Sequence, residues 1–270
     1  MPFSPIYTMV PNFTQEKGDV LFNEPVAREV YLMRLHAPRI AGAIRPAQFI
    51  QIQTDPHPFP FLRRPFSALR ADRQAGWVDI LYDAIGPGTR KMAAAGPGQP
   101  FDLVGPLGLP FSPPAADRLL LVAGGVGLVP LAFLAFEEPR PRKVFLMGAA
   151  GQDRMPDMER LLPSGQEVYV ATDDGSLGHR GFVTDLIAGH AAPGTAIFTC
   201  GPHPMMARVA AIAAEYCLPC YASLENHMAC GFGACVGCVV EYREAEREDD
   251  RYRRVCIEGP VVDAHAIVWS

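Results

Sequence analysis

The chain has 270 residues, 49% hydrophobic and 20% charged, with a net charge of −5 at pH 7. This is globular composition, enough to bury a substantial core, and it excludes a disordered chain. There is no basic block to bind nucleic acid, and MPFSPIYTMVPNFTQEKGD at residues 1–19 has neither the basic start nor the apolar stretch of a secretory signal, so a cytoplasmic protein is expected.

In chain order, the first hundred or so residues read as β structure. REVYLMRLHAP (28–38), QFIQIQT (48–54) and WVDILYDA (77–84) are short strand-like runs, and GTRKMAAAGPG (88–98) can hold one short helix. Regular short strands of this kind suggest a small barrel. FSPPAADR (111–118) reads as a linker. The rhythm then changes. The strand-like runs RLLLVAGG, KVFLMGAA, EVYVATDD and AIFTCGP alternate with the helical stretches LVPLAFLAFEE, DMERLLPSG, VTDLIAGHA and HPMMARVAAIAAEYC. Such alternation predicts a parallel sheet covered by helices, with ligands at the carboxyl ends of its strands. The uncharged run 119–136 is about long enough to span a bilayer, but GGVG breaks it and Pro130 suits the first turn of a new helix, so no membrane span is expected. The resulting layout is a β-barrel over 1–112, an α/β domain over 113–220 and a small cysteine-bearing domain over 221–270.

The strand at 118–124 runs into Gly124, Gly125 and Gly127. Glycines there let backbone amides approach a pyrophosphate, although Pro130 replaces the third glycine of the dinucleotide fingerprint; an ordinary tight turn reads the same way. Asp173 and Asp174 end the next-but-one strand, where a carboxylate can accept from ribose hydroxyls and repel a 2′-phosphate, or can simply be solvated. Cys200, before Gly201-Pro202, is a small buried hydrophobe unless a cofactor lies above it. In the barrel segment, Arg64-Pro65-Phe66-Ser67 offers a guanidinium for a phosphate and a hydroxyl for a ring heteroatom, and Gly86 to Thr89 offer an amide-rich helix start. Each of these also fits plain strand-edge and turn sequence.

The seven cysteines crowd into the last part of the chain. Cys230, Cys235 and Cys238 form C-x4-C-x2-C, and 17 residues separate Cys238 from Cys256, the plant-type spacing for a [2Fe–2S] cluster. Cys217-x2-Cys220 and Cys235-x2-Cys238, separated by 14 residues, resemble a zinc ribbon instead, but that choice strands Cys230 and Cys256.

RRPFS, LYDAIGPGT, AGGVGLVPL, ATDDGS, CGPHPMM, SLENHMACGFGACVGC and RVCIEGPV, in this order, resemble the electron-transfer subunits of NAD-linked dihydroorotate dehydrogenases, members of the ferredoxin–NADP reductase superfamily. The resemblance implies an FAD-binding barrel, an NAD-binding α/β domain and a C-terminal [2Fe–2S] domain. It implies flavin contacts from Arg64 to Ser67, from Leu81 and Tyr82, and from Gly88 and Thr89. Asp83 departs from the pattern, which has a basic residue there, and Glu258 stands in place of an Asp. The partner implied is an FMN-containing catalytic subunit, two of each in a heterotetramer. Electrons would pass singly through the cluster to FAD, and hydride from FAD to NAD+ over the Cys200-Gly-Pro loop. A docking face is expected where Glu225 to Met228 and Ile257 to Val262 converge, buried around Met228, Phe232 and Val261. Two other readings stay open: the same cofactors serving a hydrogenase or a ferredoxin transhydrogenase, and a zinc-ribbon nucleotide module without redox activity.

Overall fold

The computed structural model describes residues 13–55, 57, 59–111, 113–243 and 251–269. Part of the N-terminal segment (1–12) and residue 112 at the expected first boundary lie outside this set.

The first sheet is antiparallel. It contains β1 (Thr14–Ala27), β2 (Val30–His36), β3 (Phe49–Gln53), β4 (Arg64–Ser67), β5 (Arg70–Asp72), β6 (Trp77–Asp83) and β7 (Pro100–Leu107), in the order β4-β3-β7-β1-β2-β6-β5. Register shifts in β1 at Val20/Phe22 and Pro25/Ala27 bend the sheet into an open barrel. Met33, Leu35, Ile50, Ile52, Ile80 and Leu103 fill it, with Ile40 from the short α1 (Pro38–Ala43). The helix α2 (Pro87–Ala93) stands where the sequence places one.

The second sheet has β8 (Arg118–Gly124), β9 (Arg142–Ala149), β10 (Glu167–Thr172), β11 (His179–Arg180), β12 (Thr195–Cys200) and β13 (Cys220–Ser223), all parallel. After the hairpin of β14 (Val239–Glu241) and β15 (Tyr252–Arg254), β16 (Val261–Asp263) joins β13 antiparallel at the sheet edge. The order β11-β10-β9-β8-β12-β13-β16 places β8 between β9 and β12, so the connections reverse direction there and leave a crevice at the carboxyl ends of β8 and β12.

Alternation along β8 sorts its side chains onto two faces. Leu119, Leu121 and Ala123 pack with α3 (Leu128–Glu137), while Leu120 and Val122 pack with α5 (His203–Glu215). The uncharged run 119–136 is thus a buried strand, a glycine turn and a buried helix. Among the described residues no helix is long and apolar enough to cross a membrane. Two expected helices come out differently. DMERLLPSG keeps only the single turn α4 (Met158–Leu161), because Leu162 precedes Pro163 and is held extended. VTDLIAGHA forms a 3-10 turn over Val183–Gly189 instead of an α-helix.

The cysteine segment is built into this second sheet. The boundary expected at 220/221 falls inside β13, and both β13 and β16 are sheet strands. Cys238, Val255, Ile257 and Val262 share one core with Leu120, Val144 and Ile197. The one-turn α6 (Val255–Glu258) carries Cys256.

Gly127 has no room for a side chain: a Cβ would lie 2.7 Å from Gly201 N and still closer to the Cys200 carbonyl. Gly127→Ala should lower the stability of the chain by about 1–3 kcal/mol, read from its urea midpoint, because backbone must shift to admit the methyl. An unchanged midpoint would show that the turn after β8 can slide freely off β12.

Candidate functional site

The crevice opens into a cavity of about 950 Å³. Gly124, Gly125 and Gly127 form one wall, Gly201, Pro202 and Met205 another, and Val30, Leu81 and Asp83 of the barrel close the third. The glycines earn their positions differently. Gly125 has φ +56°, in the left-handed region, whereas Gly127 is needed for close approach to β12. The two sheets therefore meet over one pocket, with the glycine turn on one side and strand β6 on the other.

Of the two adjacent acids, only Asp173 lines this cavity. Asp174 borders a separate surface recess with Arg28, Gln152 and Asp153. Its carboxylate accepts from Ser176 N at 2.9 Å and Ser176 Oγ at 2.6 Å, bonds that hold its pKa below the ordinary value.

The β4 residues Arg64, Pro65, Phe66 and Ser67 are all half-buried on an edge strand. The Arg64 guanidinium donates to the carbonyls of Leu62 and Arg63 and has no carboxylate partner among the described residues. Phe66 meets Tyr82 edge-on at 5.8 Å, and the buried Tyr82 hydroxyl donates to Asn23 Oδ1 at 3.0 Å. Burial drives that hydroxyl's pKa up. Gly88 packs on Thr54, whose buried Oγ1 has no hydrogen-bond partner among the described residues. Thr89 caps α2, accepting from Gly86 N at 3.1 Å.

Asp83, where the resemblance leads one to expect a basic residue, has a cationic partner from the second sheet. Arg154, on the 3-10 turn Gln152–Arg154 after β9, donates to Asp83 Oδ1 at 2.8 Å, to Glu29 Oε2 at 3.2 Å and to the Arg28 carbonyl at 2.8 Å. Burial raises the Asp83 pKa and Arg154 opposes that rise. A cation thus stands at this corner of the cavity, supplied from the second sheet.

Cys200 is 1% exposed at the end of β12, and its thiol donates to Glu225 Oε1 at 3.8 Å. Burial first, then the Glu225 charge, pushes the thiol well above its usual pKa. Glu225, two residues beyond β13, reaches solvent through the cavity it lines, and the protein packed around it raises its carboxyl pKa. The sequence reading put Glu225 on a docking face; the structure puts it in the cavity. A single acid in SLENHM gives no signal of this, since only the turn out of β13 aims it there.

The docking expectation needs a second correction. Met228 is buried at 9% exposure in the core shared with β8, and Val261 is half-buried within β16. Phe232 stays exposed, stacked on Phe13 at 5.6 Å, and Val236 is 71% exposed, so the apolar surface at the cysteine loop centres on these two.

The four expected ligands gather as two thiol pairs. Cys230 Sγ and Cys235 Sγ are 3.4 Å apart, and Cys235 N donates to Cys230 Sγ at 3.4 Å. Burial works against a Cys230 thiolate, but the amides of Cys235, Phe232 and Ala234 outweigh it and draw its pKa down. The Cys256 thiol donates to Cys238, whose pKa is pushed down to about 6 while that of Cys256 rises. Gly231 (φ +78°) and Gly233 (φ +87°) turn the loop so that its amides face sulfur. Two thiol pairs suit a cluster with two irons, and amides aimed at sulfur stabilise thiolate ligands, so the residues present fit [2Fe–2S]. The zinc-ribbon set is not assembled. Cys217 is exposed past α5, Cys220 is buried with its pKa pushed up to about 12, and no three His, Cys, Asp or Glu among the described residues converge on one ion.

An open antiparallel barrel facing a parallel sheet over a glycine-turn cavity defines a ferredoxin reductase-type protein. The fold is shared with an NADH-dependent reduced ferredoxin-NADP oxidoreductase (TM-score 0.83, 24% identity, 93% of this chain and 90% of that one). It is shared also with phthalate dioxygenase reductase (TM-score 0.63, 15% identity, 88% and 92%). Residues 225–268 match the iron-sulfur cluster binding domain of dihydroorotate dehydrogenase B. The dihydroorotate dehydrogenase B (NAD(+)) electron transfer subunit of Geobacillus sp. (strain WCH70) is 35% identical over 261 residues, covering 94% of this chain and 98% of that protein. The Fusobacterium nucleatum subunit is 36% identical over 249 residues, 88% and 93%. The chain belongs to the family of dihydroorotate dehydrogenase B electron transfer subunits.

Since the thiolate is the reactive form, burial and raised pKa should protect Cys200 and Cys220. Brief iodoacetamide treatment at neutral pH, followed by peptide mass spectrometry, should label Cys217 and spare both. Comparable labelling of Cys200 would contradict its place beneath the cavity.

Proposed function

We propose that this chain passes electrons between an FMN-bearing subunit that oxidises dihydroorotate to orotate and NAD+, through a [2Fe–2S] cluster and FAD. The observation that carries this reading is the paired arrangement of Cys230/Cys235 and Cys238/Cys256 in the segment between β13 and β16, at the edge of the sheet whose β8 and β12 ends form the cavity facing β6. When bound, flavin supplies the conversion between single electrons and hydride that neither a cluster nor a nicotinamide can make alone.

The chain's residues divide the work of holding and orienting. Cys230, Cys235, Cys238 and Cys256 hold the cluster. Arg64, Pro65, Phe66 and Ser67, with Leu81, Tyr82, Gly88 and Thr89, hold the flavin. Leu81 would present the cavity side of that site, where Arg154 pairs with Asp83. Gly124, Gly125, Gly127 and Asp173 receive the nicotinamide nucleotide, while Asp174, committed to Ser176, shapes the loop instead. Glu225 lines the cavity with the Cys200 thiol donating to its carboxylate from below. The domains are assigned as 1–112 for FAD, 113–220 for NAD and 221–270 for the cluster, the last anchored through β13 and β16. The complex is assigned as two of each subunit, in the cytoplasm, with docking at the exposed Phe232 and Val236 beside the cluster.

Purified chain should release flavin on denaturation and contain iron. Cys230→Ser should lose the iron, whereas Cys217→Ser should retain it. With the FMN subunit added, dihydroorotate should reduce NAD+; without it, only NADH oxidation by artificial acceptors should remain. Val236→Asp with Phe232→Asp should weaken the complex by a factor of ten or more while flavin and iron stay bound. Dihydroorotate oxidation by the isolated chain, or zinc in place of iron, would overturn the assignment.

A further inference from the structure

One fully buried polar side chain lies between the flavin-motif strand and the cysteine loop with nothing to do in the account above. Gln51 on β3 is 0% exposed, opposite Pro65 of β4 on one side and Val104 of β7 on the other. Among the described residues, neither its Nε2 nor its Oε1 has a hydrogen-bond partner. Buried amides in native proteins are overwhelmingly paired, so an orphaned one signals a partner yet to arrive. The side chain lies against Gly231: a Cβ there would be 2.6 Å from Gln51 Nε2 and 3.1 Å from Cδ. Gly231 directly follows Cys230, whose sulfur already receives the amides of Phe232, Ala234 and Cys235. Among the sequence motifs Gln51 carried no signal, since a lone glutamine in QFIQIQT reads as an ordinary strand residue.

We propose that Gln51 is a positioning residue for the cluster, its side-chain amide donating a hydrogen bond to sulfur of the bound cluster beside Cys230 and so raising the cluster's reduction potential. This rests on the iron–sulfur assignment above. A donor to a cluster sulfur stabilises the electron added on reduction, so its removal makes the cluster harder to reduce. Gln51 itself gains and loses no proton in the process. Its strand links the two carriers directly, through the Gln51–Pro65 register pair on one side and the Gly231 contact on the other.

The test compares the full chain carrying its cofactors with Gln51→Leu, which keeps the volume and removes the donor, and with Gln51→Glu, which keeps the shape and adds a negative charge. Redox titration followed by electron paramagnetic resonance of the reduced cluster should show, for Gln51→Leu, about a tenfold fall in the ratio of reduced to oxidised cluster at fixed ambient potential. That is about 59 mV for one electron. Gln51→Glu at pH 8 should fall further. In cluster-free chain, Gln51→Leu should melt no lower than the parent, because it removes an unpaired buried amide. An unchanged potential and spectrum in a Leu variant that retains its iron would overturn the proposal, as would a shift confined to the flavin. Absence of an iron–sulfur spectrum in the parent chain would instead overturn the cluster assignment itself.

Discussion

The architecture turns on one backbone contact, the packing of Gly127 onto the carbonyl end of β12. A Cβ at Gly127 would collide with Cys200 and Gly201, so the turn leaving β8 and the turn leaving β12 lie in direct contact. That contact is possible only because β8 and β12 are sheet neighbours whose following chains depart to opposite faces, toward α3 and α5. It fixes the lower walls of the cavity before any side chain is chosen. What remains for side chains is to present a barrel strand, β6, across from it.

The two sheets are joined by charge as well as by apolar packing. Arg154 reaches from the turn after β9 to Asp83, Glu29 and the Arg28 carbonyl, and Arg28 pairs with Asp153 at 2.7 Å. Arg160 pairs with Glu24 on the same seam. Exposed pairs of this kind contribute well under 1 kcal/mol each, so the outer two serve mainly to set register. The half-buried Asp83–Arg154 pair matters more, because it faces the cavity and neither partner is left unpaired there. From the other direction, Leu109 N donates to the Gly259 carbonyl at 2.7 Å, tying the end of the barrel to the segment that follows Cys256.

How much of this could be read from sequence depended on how local the physics was. The buried parallel strands announced themselves as runs such as LLLVA and VFLM, which need both faces covered whatever surrounds them. The paired cysteines were legible as candidate cluster ligands for a stronger reason: ligand spacing is imposed by a cluster's own dimensions, so tertiary context can do little to alter it. The strand β1 was missed because its pattern, TQEKGDVLFNEPVA, carries charges on its outward positions and contains Gly18 and Pro25, both poor strand residues. Its place is set by partners β2 and β7 on either side. Glu225 and Gln51 were invisible as site residues because their neighbours in space come from distant parts of the chain. Asp173 and Asp174 looked equivalent, and one hydrogen-bonded turn at Ser176 separated them.

The pairing of β13 with β16 carries an implication about how such a chain can be assembled. Ser223 and Val261 are register partners, so the 37 residues between them leave and return at adjacent points on one sheet edge. A segment whose two ends nearly touch can be inserted into, or lost from, a parent reductase without disturbing the strands that flank it. Here the inserted segment is also part of its scaffold, lending Glu225 to the cavity wall and Cys238, Val255 and Ile257 to the core shared with β8.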